Sequence, residues 1–214
     1  RQRYWAGSNL GWLHFSSAQP NRGHEALAAM EHTGTVTGVI TQNVDGLHAR
    51  AGSRRVVELH GAMRRVTCLR CGQTFARADI AQRMNRDNPW LAAADAGEQR
   101  PDGDVVIAQV DAMVVPDCTV CGGILKPDVV FFGEFVPVTV FTAARAILKS
   151  SDALIVAGSS LAVNSGVRLL AQASKRRLPI VVINRGETKG DTRASLKIDA
   201  GTSEVLTALA ARLD

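Results

Sequence analysis

The four cysteines of the chain fall into two pairs with the spacing Cys-x-x-Cys, and no cysteine is left over. The pairs are Cys68 with Cys71 and Cys118 with Cys121. Two thiolates separated by two residues can bind one small cation from a tight turn. Two such turns complete the tetrahedral shell of four sulfur atoms that Zn²⁺ accepts. The spacing therefore predicts one zinc ion bound by all four cysteines.

The predicted zinc ion is structural, because a shell of four protein ligands leaves no position open for a substrate. Glycine follows each pair, which lets backbone amides approach the sulfur atoms. Two disulfides are the alternative, and they would need an oxidising compartment. The sequence shows no secretory apolar segment, so zinc is the interpretation that we favour. The stretch between Cys71 and Cys118 is longer than in a compact zinc ribbon, which indicates an inserted subregion.

Polar residues also gather directly after three predicted strands. They form the runs Thr41–His48, Gly158–Ser160 and Asn184–Gly186. In an open parallel sheet, ligands bind beyond the carboxyl ends of the strands, so the three runs would line one site. The second run suits a phosphate, the third suits ribose hydroxyls, and the first suits an amide and a ribose. Each run alone is also typical of an ordinary turn, but three at equivalent strand ends favour a ligand site.

His60 is the candidate general base. It lies in Glu58-Leu-His-Gly61, at the end of a predicted strand and just before the first cysteine pair. An imidazole in its unperturbed state takes up a proton near neutral pH, and all four cysteines are assigned to zinc. His48 follows the first polar run and would support the site from behind. The remaining histidines have the pattern of surface residues.

Short apolar strands alternate with helices outside the cysteine region. The predicted strands are 36–41, 56–59, 153–157 and 180–183, and the predicted helices are 24–32, 138–149, 166–175 and 203–213. This alternation indicates an α/β fold with a Rossmann-like, doubly wound parallel sheet. The cysteine region breaks the rhythm and holds one predicted helix, 76–86. We therefore expect a Rossmann-like domain in two parts, 1–60 and 138–214, with a zinc-binding small domain, 61–137, inserted between them.

The composition is that of a globular chain with one domain and a small satellite. Of its 214 residues, 46% are hydrophobic and 21% are charged, which is enough for a sizeable core. No apolar run approaches the ~20 residues that span a bilayer. The net charge of +5 would suit an acidic partner. Because Lys and Arg are scattered rather than arranged in a stripe, nucleic acid is not the expected partner.

Several motifs, in their order along the chain, resemble those of the sirtuins. They are Thr41-Gln-Asn-Val-Asp-Gly-Leu-His48, Glu58-Leu-His-Gly61, the two cysteine pairs, Lys126-Pro-Asp-Val-Val-Phe-Phe-Gly-Glu134, Gly158-Ser-Ser160 and Asn184-Arg-Gly186. The resemblance extends from Arg1 to the C-terminal helix. The opening Arg1-Gln-Arg-Tyr-Trp5, the long insert and Pro101-Asp-Gly-Asp104 look most like the class II, sirtuin-four-like branch.

The resemblance implies an NAD-dependent protein-lysine deacylase. In such an enzyme the acyl oxygen of the substrate lysine displaces nicotinamide from the ribose. His60 would be the catalytic residue that deprotonates a ribose hydroxyl, which then attacks the resulting imidate. The products are nicotinamide, free lysine and O-acyl-ADP-ribose. Protein mono-ADP-ribosyl transfer and a degenerate, non-enzymatic zinc-binding interaction module are the alternatives.

The resemblance also assigns contacts with NAD and with the substrate. The residues around NAD are Gln42, Asn43, Val44 and Asp45 at the nicotinamide ribose, Gly158, Ser159 and Ser160 at the phosphate–ribose portion, Asn184, Arg185 and Gly186 at the adenosine ribose, and Thr202 at the adenine. Acylated-lysine proteins or peptides would be the partners, bound as an added strand. The residues of that strand site are Val129, Val130, Phe131, Phe132, Gly133 and Glu134. An ordinary buried strand is the alternative for this stretch.

The acyl preference follows from one spacing. The desuccinylating branch uses a Tyr-x-x-Arg pair, whereas the only tyrosine here, Tyr4, is followed at that spacing by Gly7. Acidic acyl groups are therefore not expected. The class II branch implies lipoyl-like, biotinyl and other longer acyl groups.

The sirtuin resemblance is incomplete at the start of the chain. Sirtuins begin with a strand and a Gly-Ala-Gly loop that holds the NAD phosphates, followed by a loop with an Asp and an Arg, and Arg1 follows the point where that unit ends. We therefore expect a longer parent protein, and poor turnover by this 214-residue piece alone. A chain rich in Ala and Arg fits a bacterial cytoplasm, with the mitochondrial matrix as the alternative.

Overall fold

A computed structural model of the chain describes residues 1–92 and 110–213. The branch motif at 101–104 and the turn expected there lie outside the described residues. In chain order the elements are α1 (Gln2–Ser17), α2 (Arg22–His32), β1 (Val39–Thr41), α3 (Leu47–Arg50), β2 (Val56–Glu58), β3 (Gly61–Cys68), β4 (Thr74–Ala76), α4 (Arg77–Asp87), β5 (Leu125–Val129), α5 (Val138–Lys149), β6 (Leu154–Ala157), α6 (Asn164–Lys175), β7 (Ile180–Ile183), β8 (Leu196–Ile198) and α7 (Thr202–Leu213). Short 3-10 turns lie at Pro89–Ala92 and Asp191–Arg193.

The chain divides into two compact units. The first contains Arg1–Ala18 and Gly61–Val129, and the second contains Gln19–His60 and Val130–Asp214. This division differs from the expected one, which gave residues 1–18 to the Rossmann-like domain and 130–137 to the zinc module. Helix α1 lies in the first unit because its Trp5 and Ala6 are buried in the same core as Val66 of β3.

The second unit is α/β with parallel strands, as predicted. Strands β1 and β2 pair in parallel, and β6, β7 and β8 form a parallel sheet in that order. Along β7, Ile180 and Val182 are buried in one core with residues of α5 and α6. Ile183 is buried in another core with residues of α2 and α7. Helices therefore cover both faces of β7, which explains why this strand is apolar at every position.

The first unit is built around an antiparallel sheet in the order β4–β3–β5. Helices α1 and α4 contribute to its core, where Trp5, Ile80 and Met84 are buried. Cys68 and Cys118 belong to the same buried cluster. Within 1–92 and 110–213, no helix is both long enough and apolar enough to cross a membrane.

Candidate active site and metal centre

The three polar runs after β1, β6 and β7 all lie in the second unit, and the first two are in direct contact. The Gln42 side-chain Nε2 donates a hydrogen bond of 3.1 Å to Ser159 Oγ. The Gly158 amide donates to the Ile183 carbonyl, 2.9 Å away, at the point where β6 and β7 end side by side. Parallel strands thus bring segments that are far apart in sequence to one edge, which is where sheets of this kind bind ligands.

The His60 ring lies between two partners from different elements. Its Nδ1 is 3.0 Å from the backbone oxygen of Gln42, and its Nε2 is 2.9 Å from Ser165 Oγ. A carbonyl oxygen can only accept, so Nδ1 carries the hydrogen in the neutral ring. The lone pair of the neutral imidazole is therefore on Nε2, which is the form a general base needs.

The loop after β6 has an unusual backbone at both ends. Gly158 has φ +61° and Leu161 has φ +56°. A Cβ on Gly158 would lie 3.1 Å from Thr202 Oγ1, so Thr202 packs closely against this exposed glycine. A buried leucine in the left-handed region costs free energy, and strain of this kind clusters at functional sites. Nothing in the sequence marks Leu161, because its conformation is imposed by packing.

The hydroxyl of Ser159 already accepts two hydrogen bonds, from Gln42 Nε2 and from the Leu161 amide. Its own hydrogen remains the group with which it can contact a phosphate or ribose oxygen. Ser160 is exposed, and its carbonyl accepts from the Lys189 amide. Ser159 is thus held in place within the protein, while Ser160 faces outwards.

Residues of the first run form a turn that leads into α3. The Asn43 amide donates to Thr41 Oγ1 at 3.1 Å, and Asp45 Oδ1 accepts from the Leu47 amide at 2.9 Å. Asp45 therefore closes the turn that precedes the short helix, whose N-cap residue is Gly46, a role the sequence did not suggest for it. Asn43 is exposed and Val44 half-buried.

His48 lies against another histidine. The ring centroids of His24 and His48 are 4.6 Å apart, and His48 Nδ1 is buried without a hydrogen-bond partner among the described residues. Burial of the ring and the charge of His24 lower the pKa of His48, while Asp45 opposes this. His24, expected at the surface in isolation, is therefore part of this pair.

The run after β7 is held by hydrogen bonds from the Asn184 side-chain amide and from Lys197. Asn184 Nδ2 donates to the Arg185 carbonyl at 2.8 Å, which leaves the side-chain oxygen as the group suited to ribose hydroxyls. Lys197 Nζ donates to the Gly186 carbonyl at 2.8 Å and to Asp191 Oδ1 at 3.0 Å. Hydrogen bonds from Thr188, followed by the Lys197 ammonium, lower the pKa of Asp191 to about 2. No sequence pattern indicates this lysine–aspartate support.

Residues 130–134 form a turn. Glu134 closes it, since the Phe131 amide donates to its carboxylate at 2.9 Å and its amide donates to the Phe131 carbonyl at 3.0 Å. Strand β5 ends at Val129, so the alternative of an ordinary buried strand is wrong for 130–134. Phe132 is 97% exposed. Val130 donates its amide to the His60 carbonyl at 2.9 Å.

The four cysteines meet in the first unit. Their sulfur atoms all lie within 4.8 Å of one another, with Cys68 Sγ 3.5 Å from Cys121 Sγ and Cys71 Sγ 3.8 Å from Cys118 Sγ. A zinc ion with Zn–S bonds of about 2.3 Å in a tetrahedral shell would separate its sulfurs by about 3.8 Å. All four thiols are free, so the disulfide alternative is wrong. The residues present therefore fit one zinc ion.

Backbone amides point at the sulfurs in both turns. The Arg70 amide lies 3.4 Å from Cys68 Sγ, and the Val120 amide lies 3.4 Å from Cys118 Sγ. The Cys71 amide, above other causes, lowers the pKa of the Cys68 thiol to about 6, while burial and the neighbouring thiols raise that of Cys121 to about 12. The two directions therefore have different main causes, a backbone amide at Cys68 and burial at Cys121.

The glycines of the turns serve the approach of backbone and sulfur. Gly72 and Gly122 both have a positive φ, +73° and +66°. A Cβ on Gly123 would lie 2.9 Å from Cys68 Sγ. The expected approach to sulfur is therefore seen at Gly123, whereas nothing lies within 4 Å of a Cβ on Gly72 or Gly122.

Comparison with known proteins gives relatives over most of the chain. Residues 2–165 match the Sir2 family. The chain is 49% identical to "NAD-dependent protein deacetylase 1" of Mycobacterium avium, over 100% of this chain and 77% of the relative. It is 47% identical to "NAD-dependent protein lipoamidase sirtuin-4, mitochondrial" of Bos taurus, over 96% of this chain and 66% of the relative.

A solved structure has the same fold. The structure described as "Sir2 bound to acetylated peptide" superposes with a TM-score of 0.76 at 30% sequence identity, covering 93% of this chain and 73% of that one. The motifs, the fold and these relatives agree, and the chain belongs to the Sir2 family.

Proposed function

We propose that the protein is an NAD-dependent protein-lysine deacylase that produces nicotinamide, free lysine and O-acyl-ADP-ribose. The observation that carries this proposal is the His60 ring, whose Nδ1 is bound by the Gln42 carbonyl and whose Nε2 bears the lone pair. The same Gln42 contacts Ser159 across the strand ends. The names of the deacetylase and lipoamidase relatives support NAD and an acyl-lysine substrate.

NAD, when bound, supplies an electrophilic ribose carbon and nicotinamide as the leaving group. The residues proposed to hold it are Gln42, Asn43, Val44, Asp45, Gly158, Ser159, Ser160, Asn184, Arg185, Gly186 and Thr202. The proximity of Gly158 and Thr202 supports this assignment, because it brings two of the assigned residues together. Ser159 has a hydroxyl hydrogen to donate, and Asn184 has an oxygen to accept.

His60 is proposed to act as the general base. It would take the proton of a ribose hydroxyl on Nε2, while the Gln42 carbonyl keeps the hydrogen on Nδ1 and supports the ring as it becomes positive. General-base catalysis of this kind is worth roughly 10²–10⁴-fold in rate. The four cysteines lie in the other unit and would bind a structural zinc ion that takes no part in the chemistry.

Acylated-lysine proteins or peptides are the proposed substrates. Residues 130–134 form no strand, and Phe132 is 97% exposed, which supports a role for Val129–Glu134 in contacting an extended peptide. The lipoamidase relative supports a lipoyl or other long acyl group. A bacterial cytoplasm is the proposed compartment, supported by bacterial relatives, and the mitochondrial relative supports the matrix as the alternative.

The test is to incubate the protein, as the cell makes it, with NAD and with acetyl-lysine and lipoyl-lysine peptides. Mass spectrometry should detect nicotinamide, free lysine and O-acyl-ADP-ribose. His60→Ala should lower the rate about 100-fold or more because the base is lost. His32→Ala is the matched control, since His32 is exposed at the end of α2, and it should leave the rate unchanged.

Other outcomes would favour the alternatives. ADP-ribose attached to protein, without O-acyl-ADP-ribose, would indicate mono-ADP-ribosyl transfer. Salt-sensitive nucleic-acid binding without NAD turnover would indicate an interaction module. A His60→Ala variant as active as the wild type would contradict the proposed base.

A further inference from the structure

Ser165 hydrogen-bonds to the lone-pair nitrogen of His60. It is the second residue of α6, and only 7% of it is exposed. Its Oγ lies 2.9 Å from His60 Nε2, a normal hydrogen-bond distance. No pattern in the sequence singles it out, because a serine near the start of a helix usually interacts with the helix backbone.

The direction of this hydrogen bond follows from the other side of the ring. The Gln42 carbonyl requires the hydrogen on Nδ1, so Nε2 of the neutral ring can only accept. The Ser165 hydroxyl must therefore donate to Nε2. Once Nε2 carries a proton, the same hydroxyl oxygen can accept instead, after rotation about the Cβ–Oγ bond. A hydroxyl can thus serve both protonation states, which an alanine or a backbone amide cannot do.

The two hydrogen bonds fix the ring at both nitrogens. With Nδ1 bound by the loop after β1 and Nε2 by α6, the imidazole plane cannot rotate freely. Fixing a base in its reactive orientation contributes to rate, because misplacement by a fraction of an ångström is costly. The partner of Nε2 is also removable: a ribose hydroxyl can take its place, since the serine can rotate away without leaving a charge unpaired.

We propose that Ser165 is a positioning residue for the general base. In the NAD-free protein it holds the Nε2 lone pair, and it yields that position to the ribose hydroxyl whose proton His60 accepts. This role rests on the proposed deacylase function. Ser165 is buried, so it acts through His60 and is not itself the base.

The first test is independent of activity. In the NAD-free protein labelled with ¹⁵N-histidine, the Nε2 resonance of His60, assigned from a His60→Gln variant, should move downfield in Ser165→Ala. The shift is towards the value of a nitrogen lone pair without a hydrogen bond. Ser174→Ala, on an exposed position of the same helix, is the matched control and should leave the resonance in place. An unmoved resonance in Ser165→Ala would overturn the proposal.

The second test is kinetic. Ser165→Ala should lower kcat about tenfold, the usual worth of one hydrogen bond, with little change in the KM for NAD. Ser165→Thr keeps the hydroxyl and should recover most of the lost rate. Equal losses in both variants, an unchanged kcat, or a higher kcat in Ser165→Ala would each contradict the positioning role.

The two proposals fail in distinguishable ways. If the wild-type protein deacylates no peptide, the deacylase proposal fails, while the ¹⁵N resonance still reports whether Ser165 binds Nε2. If the wild type is active and Ser165→Ala matches it, only the positioning role fails.

Discussion

At the scale of single residues, Gly158 offers a sharp test of the NAD assignment. Its φ of +61° disfavours any residue with a side chain, and its missing Cβ would sit 3.1 Å from Thr202 Oγ1. Gly158→Ala should therefore destabilise the protein by about 1 kcal/mol from the backbone alone. It should also raise the KM for NAD severalfold, because the methyl group displaces Thr202 and covers backbone that is proposed to contact the cofactor.

Gly34→Ala is the matched control for this substitution. Gly34 has a φ of +84° but nothing within 4 Å of its missing Cβ. The backbone cost should be similar, and the KM for NAD should not change. Urea unfolding and steady-state kinetics of both variants separate the two effects. If both variants raise KM equally, Gly158 does not contact the cofactor.

The sequence located the strand-end residues but not what supports them. Polar residues that follow apolar strands are visible in a local pattern, and so is His60 after β2. The contact between His60 and Ser165 joins positions 105 residues apart, so no local pattern contains it. The same holds for Lys197, whose bond to the Gly186 carbonyl depends on the pairing of β7 with β8.

At the scale of elements, the clearest patterns were read correctly, whereas α1, β8 and the antiparallel strands β3, β4 and β5 were not predicted. Helix α5 and strand β7 have the predicted bounds, because both combine clear apolar periodicity with clear breaks. Helix α1 was not predicted, since Gly7 and Gly11 lower its helix propensity. It forms nevertheless because Trp5 and Ala6 are buried in the first unit. Strand β8 has only three residues, and it forms because it pairs with β7.

The packing of α1 against α4 depends on one buried cation. Arg77, at the start of α4, is fully buried, and its guanidinium lies 5.3 Å from the Trp5 ring and 5.2 Å from the Trp12 ring. Burial lowers its pKa to about 10. It donates to the Ser8 carbonyl at 3.0 Å, but Nε and Nη1 have no partner among the described residues. The cation–π contacts therefore stabilise the buried guanidinium, while the desolvation of Nε and Nη1 destabilises it.

Arg77→Ala should lower the free energy of unfolding of the first unit by about 2–4 kcal/mol, because it removes two desolvated cation–π contacts and leaves a cavity. Arg77→Met should cost less, since it keeps packing volume and removes the unpartnered donors. Arg86→Ala, on the exposed side of α4, should change little. Urea unfolding followed by tryptophan fluorescence measures all three. Equal losses for Met and Ala would show that the charge, rather than the packing volume, dominates.

At the scale of the whole molecule, the two units have separate hydrophobic cores and separate tasks. The candidate catalytic residues belong to the second unit, and the cysteine cluster belongs to the first. All three tryptophans of the chain, Trp5, Trp12 and Trp90, lie in the first unit. Tryptophan fluorescence therefore reports on the unit with the proposed zinc site and not on the other.

Removal of zinc should unfold the first unit. Two of the cysteines are in its core with Trp5 and Val66, so removal of the metal would leave four sulfur groups beside that core with no cation to hold them together. Structural zinc contributes about 10–16 kcal/mol in small zinc domains, which is more than the free energy of unfolding of most domains.

A strong chelator should shift tryptophan emission to longer wavelength and abolish deacylation. The same chelator already saturated with zinc should do neither. Reconstitution with Co²⁺, which also binds tetrahedral thiolate sites, should restore the emission and a near-normal kcat. A restored fold with a strongly altered kcat would mean that the metal takes part in the reaction, and an unchanged emission spectrum in metal-free protein would mean that the first unit folds without it.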